Sequence, residues 1–129
     1  KFIEGRELTV AVIQKNNKSI PIEVTEIIFK NNFFDYQSKY TSGFSQHVLP
    51  AKLPNNIYEK CKNQAKYVHD LINSNGVSRS DFLYDNKNLY FLEINTQPGL
   101  TPLSLVPEQL KYQNISFDEL IINLIECAK

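Results

Sequence analysis

Val77-Ser78-Arg79-Ser80-Asp81-Phe82-Leu83-Tyr84 and Leu89-Tyr90-Phe91-Leu92-Glu93-Ile94-Asn95, separated by Asp85-Asn86-Lys87-Asn88, decide how this chain is read. Both runs are strand-like and the four residues between them are turn formers, so the segment predicts an antiparallel hairpin. Side chains alternate along a strand, which puts Arg79 and Asp81 on one face, Glu93 and Asn95 on one face, and Phe82, Tyr84, Tyr90 and Leu92 on the opposite faces. Setting Tyr84 across from Tyr90 and Phe82 across from Leu92 brings Asp81 opposite Glu93 and Arg79 opposite Asn95. That register predicts a loop of three or five residues.

Two carboxylates and an amide oxygen on one patch are hard ligands. They suit Mg²⁺ bridging nucleotide phosphates better than zinc or copper. Taken by themselves, the same residues more commonly form a solvated strand face with an ion pair from Arg79 to Asp81 or Glu93. The stretch that follows, Asn95 to Pro107, is turn-rich and lies directly after the candidate ligands. Within it Gly99 allows a backbone N–H to face an anionic oxygen, and Ser104 can donate to a carboxylate. A glycine after Pro98 is also a common turn residue.

Upstream, Leu8 to Gln14 and Ser19 to Ile28, joined by Lys15-Asn16-Asn17-Lys18, predict a first hairpin. Residues 30–44 carry aromatics without periodicity among turn residues and predict an ordered, functional loop. A short strand is expected over Gln46 to Leu49. Pro54-Asn55-Asn56 with Glu59 predicts a capped helix with Ile57, Cys61, Ala65, Val68 and Ile72 inward, ending near Ser74 with Gly76 as the left-handed residue. Ser116 with Glu119 predicts a second capping box, opening a helix whose apolar face is Leu120, Ile121, Leu124, Ile125 and Ala128. His47 and His69 have no second histidine at ligand spacing and are expected to be structural.

The 129 residues, 42% of them apolar, are enough for one core and one domain. Fourteen acidic residues balance fourteen basic ones, so no global field points to nucleic acid or a membrane surface. Two cysteines, Cys61 and Cys127, make no disulfide framework and are expected to be buried; with no signal segment or long apolar run, a cytoplasmic setting is expected. The chain opens on Lys1-Phe2-Ile3 without Met, which reads as a piece of a longer protein.

The run Phe91 to Thr101, with Arg79-Ser80-Asp81-Phe82 before it, resembles the metal-site signature of ATP-grasp enzymes, and in its full form the D-alanine–D-alanine ligase family. Glu4 to Val10, Phe34-Asp35-Tyr36-Gln37-Ser38-Lys39-Tyr40, Leu49-Pro50-Ala51 and the Ser116 helix extend the likeness over essentially the whole chain. The resemblance implies an α+β fold, the large C-terminal subdomain of an ATP-grasp enzyme, mainly an antiparallel sheet flanked by helices. A domain for the first D-alanine and a small ATP-gripping lobe are then expected before Lys1, and the isolated chain is expected to fold without turning over.

By the same resemblance Asp81, Glu93 and Asn95 hold two Mg²⁺ ions, for which Mn²⁺ substitutes, against the ATP phosphates. Lys39 reaches the γ-phosphate and Tyr40 closes its loop. Glu7 binds the ribose, Lys1 and Ile3 lie beside adenine, and Phe33 and Phe34 pack near the nucleotide. Arg79 and the Gly99 N–H stabilise an oxyanion, and Ser104 with the Leu105 backbone holds the second D-alanine's carboxylate. The implied product feeds peptidoglycan synthesis and the implied assembly is a homodimer. Ser80, where the family is usually apolar, and Leu103, where many members are polar, depart from the pattern. Other readings are a different ATP-grasp carboxylate-amine ligase, a D-alanine–D-lactate ligase, or a nucleotide-binding module without turnover.

Overall fold

Strand β1 (Arg6–Lys15) is buried from both sides in the computed structural model, which describes residues 1–29 and 45–129. Leu8, Val10 and Val12 point to one face and Thr9, Ala11 and Ile13 to the other, each at most 3% exposed. A strand covered on both faces belongs in the middle of a sheet. With β2 (Lys18–Phe29), β3 (Ser45–Val48), β4 (Val77–Tyr84) and β5 (Leu89–Asn95) it forms a five-stranded antiparallel sheet in the order β3-β2-β1-β4-β5.

Helix α1 (Asn55–Leu71) covers the first face, packing Ile57, Cys61 and Ala65 on Leu8, Val10, Val12, Val24, Phe82 and Tyr84. Helices α2 (Leu105–Tyr112) and α3 (Phe117–Cys127) cover the other, setting Val106, Leu110 and Leu120 over Ala11, Ile13, Ile22 and Val77. This is the expected α+β architecture, a mainly antiparallel sheet flanked by helices. Val10 pairs with Val24 but Val12 with Pro21, so β2 carries an extra residue. That bulge reverses the strand's phase, which is how Val24 reaches the α1 core and Ile22 the opposite one.

The first hairpin closes on Asn16 and Asn17, both left-handed at φ 52° and 59°, the pair of conformations a two-residue turn of matching twist requires. The second hairpin departs from expectation. Asp81 does face Glu93 and Arg79 does face Asn95, but Phe82 pairs with Phe91 and Tyr84 with Leu89. Leu92 is the extra residue of a bulge, so the loop keeps four residues, 85–88, instead of three or five. Asp85 organises it by accepting from the N–H groups of Lys87 (2.9 Å) and Asn88 (2.6 Å), with Asn86 left-handed at φ 70°.

The helix termini also differ in detail. Pro54 is the N-cap of α1 and no side chain caps it, so the expected Asn56–Glu59 box is absent; Asn56 already lies inside the first turn. The helix stops at Leu71. Asn73, at φ 51°, is its left-handed residue, and the N–H groups of Asn73 and Ser74 return to Asp70 O and His69 O, both at 3.0 Å. The inward row runs Ile57, Cys61, Ala65, His69, while Ile72 is 44% exposed.

In α3 the Ser116–Glu119 box is present in both directions. Its buried residues are Leu120 and Asn123, while Ile125 is 57% exposed, so the inward face is rotated from the expected stripe. Helix α2 is not expected from the turn-rich stretch; Pro107 is its third residue, where a backbone N–H has no intrahelical partner to lose. Both cysteines are free. Cys61 is fully buried, and burial pushes its thiol up to about 12, so it behaves as a hydrophobe. Cys127 is half-buried.

Candidate functional site

Odd-numbered residues of β1 and β4 share the face that α2 and α3 cover, and the apolar contacts of these helices fall on its Ala11, Ile13 and Val77 end. Glu7, Thr9, Arg79 and Asp81 continue the same face beyond those apolar contacts, and the β5 register adds Glu93 and Asn95. The bulge at Leu92 is what lets this polar alignment coexist with the Phe82–Phe91 contact on the other face, where the rings meet edge-on at 5.7 Å.

At its centre Arg79 holds Asp81 with two hydrogen bonds, Nε to Oδ1 at 3.0 Å and the terminal nitrogen to Oδ2 at 2.9 Å. Thr9 Oγ1 donates to Asp81 Oδ1 at 2.6 Å. The side chains of Arg79 and Asp81 are 21% and 14% exposed. Burial alone would lower the Arg79 pKa; the bonds to Asp81 and the charges of Asp81, Glu93 and Glu7 outweigh it, and the guanidinium is held above its ordinary value. The ion pair that composition favoured is therefore present, and it lies inside the patch that could take a cation.

Glu93 is exposed, and Asn95 is half-buried with its Oδ1 accepting from Gln97 N–H at 2.9 Å. Among the described residues no group of three or more His, Cys, Asp or Glu side chains comes together as a metal site. Two carboxylates and one amide nevertheless match Mg²⁺, which takes few protein ligands and completes its shell with phosphate oxygens and water. The donor set fits the ion.

After β5 the chain turns back to α2. Gly99 is exposed and close to Ser104: a Cβ built on it would lie 2.9 Å from Ser104 Oγ. Ser104 is the N-cap of α2, yet its side chain makes no cap bond; Oγ accepts from Thr101 N–H at 3.1 Å and lies 2.7 Å from Thr101 Oγ1. The N–H groups of the first helical turn, beginning with Leu105, therefore form an anion-accepting end with no serine over it. Leu103 is 79% exposed beside it.

Of the remaining expected residues, Lys1 is exposed and Ile3 half-buried in the segment before β1, and Glu7 opens the polar face of that strand. Phe33, Phe34, Lys39 and Tyr40 lie outside the described residues, as does the whole loop of residues 30–44. Ser80 is fully buried on the α1 side with its hydroxyl unpartnered. His47 Nδ1 pairs with Glu108 Oε2 at 2.6 Å, and His69 Nδ1 meets Ser78 Oγ at 2.6 Å, so both histidines have structural partners.

Sequence reasoning misses two contributors. Thr9 is visible as the residue in phase with Glu7 on a strand pairing with Asp81. Gln109, fully buried, sits in phase with Val106 and Leu110, a polar residue on an apolar face of a helix that is itself not expected.

The sequence and the fold recur in known proteins. A D-alanine–D-alanine ligase of Caulobacter vibrioides is 44% identical over 129 residues, covering 98% of this chain and 40% of the relative. The structure of D-alanyl-alanine synthetase A from Vibrio cholerae superposes with a TM-score of 0.83 at 28% identity, covering 97% of this chain and 39% of that one. The VanG D-Ala:D-Ser ligase of Enterococcus faecalis gives 0.78 at 29% identity, covering 98% and 37%. The chain thus spans about two fifths of the length of the curated relatives it matches. The family model described as "D-ala D-ala ligase C-terminus" matches residues 1–126, and the chain belongs to that family.

Proposed function

We propose that the protein carrying this chain is an ATP-dependent ligase that joins two D-alanines through an acyl phosphate, as a step toward peptidoglycan precursors. The observation that supports this most is the polar end of one sheet face, where the strand register sets Asp81 opposite Glu93 and Arg79 opposite Asn95 and Arg79 holds Asp81. Because the relatives are longer, the activity is assigned to a protein of their length, with the first D-alanine and part of the ATP held by other segments.

Asp81, Glu93 and Asn95 would hold the divalent cations, Mg²⁺ or Mn²⁺, which when bound neutralise charge at the nucleotide phosphates. Glu7 takes the ribose hydroxyls and the Lys1–Ile3 segment lies beside adenine. Phe33 and Phe34 pack near the nucleotide, and Lys39 and Tyr40 act from the loop that closes over it. The carboxylate of the first D-alanine takes the γ-phosphoryl group and ADP leaves. The amine of the second D-alanine, having lost a proton, attacks the activated carbonyl; Arg79 and the Gly99 N–H stabilise the oxyanion, and phosphate departs as the amide forms. Each preorganised donor of this kind is worth roughly 3–4 kcal/mol in the transition state. Ser104 and Leu105 N–H hold the second carboxylate and so set the amine's direction.

This reading implies a homodimer working in the cytoplasm. No described helix is long and apolar enough to cross a membrane. Likeness to a D-Ala:D-Ser ligase keeps a second acceptor in view, and D-lactate is a third. The test is ADP release in the full-length protein with D-alanine, D-serine or D-lactate as acceptor. Glu93→Gln is expected to abolish Mg²⁺-dependent turnover while the protein stays folded. Unchanged turnover would remove Glu93 from the cation site, and preference for another acceptor would replace the substrate.

A further inference from the structure

Gln109 faces inward from α2 and has no solvent exposure. Its amide bonds as a peptide group would: Oε1 accepts from Ala11 N–H at 2.9 Å, and Nε2 donates to Thr9 O at 3.1 Å and Thr25 Oγ1 at 3.0 Å. These partners flank the β2 bulge, where the β1–β2 ladder slips between Val10 and Val12. Buried backbone groups left there without partners would be expensive, and one side-chain amide satisfies both a donor and an acceptor of β1.

The same Thr9 gives its hydroxyl to Asp81, and Asp81 holds Arg79. A continuous set of hydrogen bonds therefore runs from α2 through β1 to the centre of the candidate site. Val106 and Leu110 also hold α2 against the sheet, but apolar contact is non-directional and tolerates sliding. Three directed bonds from one amide do not. The Glu108–His47 contact adds a second tie from the neighbouring residue of the helix.

We infer that Gln109 is a positioning residue: it sets the placement of the α2 N-terminus, with Ser104 and Leu105, relative to the Asp81–Arg79 pair, and touches no substrate itself. The inference rests on the site reading above, in which that N-terminus receives the carboxylate of the second amino acid.

The test uses the full-length protein with Gln109→Met, which keeps an unbranched side chain and removes all three bonds. KM for the acceptor amino acid is expected to rise about tenfold, the size of one misplaced hydrogen bond, while KM for ATP stays within about twofold. A folded variant with both KM values unchanged overturns the inference. So does one in which both KM values rise and kcat falls together with the melting temperature, since that is general loosening. If Gln109→Met does not fold, Thr25→Val removes one bond with the shape kept and must show the same split at about threefold; equal KM values there overturn it. If the wild-type protein shows no acceptor-dependent ADP release, the site reading itself has failed. Positioning is then read from amide exchange: the Glu108 N–H, which donates to Ser104 O at 3.2 Å, must lose protection in Gln109→Met while α1 does not, and unchanged protection refutes it.

Discussion

Replacing Asp81 by Ala removes both acceptors of the Arg79 guanidinium and the better acceptor of Thr9. Breaking a fully buried pair costs about 3–5 kcal/mol because the surviving charge is stranded. Here the arginine side chain is 21% exposed, and Glu93 and Glu7 already act on it, so part of that penalty is relieved. The expected loss is about 2–3 kcal/mol. Arg79→Leu alone should lose less, about 1 kcal/mol, because Asp81 keeps the Thr9 hydroxyl. The double variant Arg79→Leu with Asp81→Ala strands no charge and should be more stable than Asp81→Ala. A double-mutant cycle by urea unfolding at fixed ionic strength, without divalent cations, then gives a coupling of about 2 kcal/mol. Additivity within about 0.5 kcal/mol would refute the reasoning. The cycle also separates two effects that a single activity assay confounds, loss of a cation ligand and release of an unpaired arginine.

Burial lowers the pKa of His69, whose Nε2 has no partner. The unfolded chain then takes up a proton that the folded one refuses, so this histidine's contribution is intact above the unfolded value of about 6.5 and is lost as pH falls below it. Unfolding free energy should decline from near neutral pH downward, and His69→Gln should flatten that slope above the carboxylate range; an unchanged slope would exclude His69 as its source. Gly76 sits at φ 86° with Leu124 Cδ2 at 2.9 Å from where a Cβ would be. Gly76→Ala should cost about 1–2 kcal/mol by thermal or urea unfolding through strain and that contact, and a stabilised variant would contradict it.

The sequence is legible wherever structure depends on alternation and on short-range capping. Val, Ile and Thr in β1 and β2 announce a hairpin, and the phase of Arg79, Asp81, Glu93 and Asn95 announces a shared polar patch, because side-chain direction follows residue number in a strand. The loop length fails for the same reason: counting assumes an unbroken ladder, and Leu92 breaks it. Helix α2 escapes because Pro102 and Pro107 argue locally against a helix, and its stability comes from Val106, Gln109 and Leu110 meeting residues of distant strands. The Ser116 box is legible since both partners are neighbours in sequence, whereas Asn56 only imitates one. The nucleotide-side roles of Lys39 and its neighbours rest on resemblance alone.

The outer edge of β2 is only partly paired. Strand β3 pairs with Glu26 to Phe29, and among the described residues no strand lies beside the preceding half of β2 on that side. An open edge of this kind is a template on which another polypeptide can add itself. Here Pro21 has no N–H to offer, Ala51 N–H occupies Val24 O at 2.8 Å, and the Tyr58 hydroxyl accepts from Val24 N–H and donates to Glu23. Gln113 donates to the other oxygen of Glu23 at 2.6 Å. A near-buried carboxylate, gripped from both helical layers, thus seals the rim against strand addition. Self-association through that rim, the usual route from an antiparallel sheet to insoluble aggregate, is obstructed without lengthening β3.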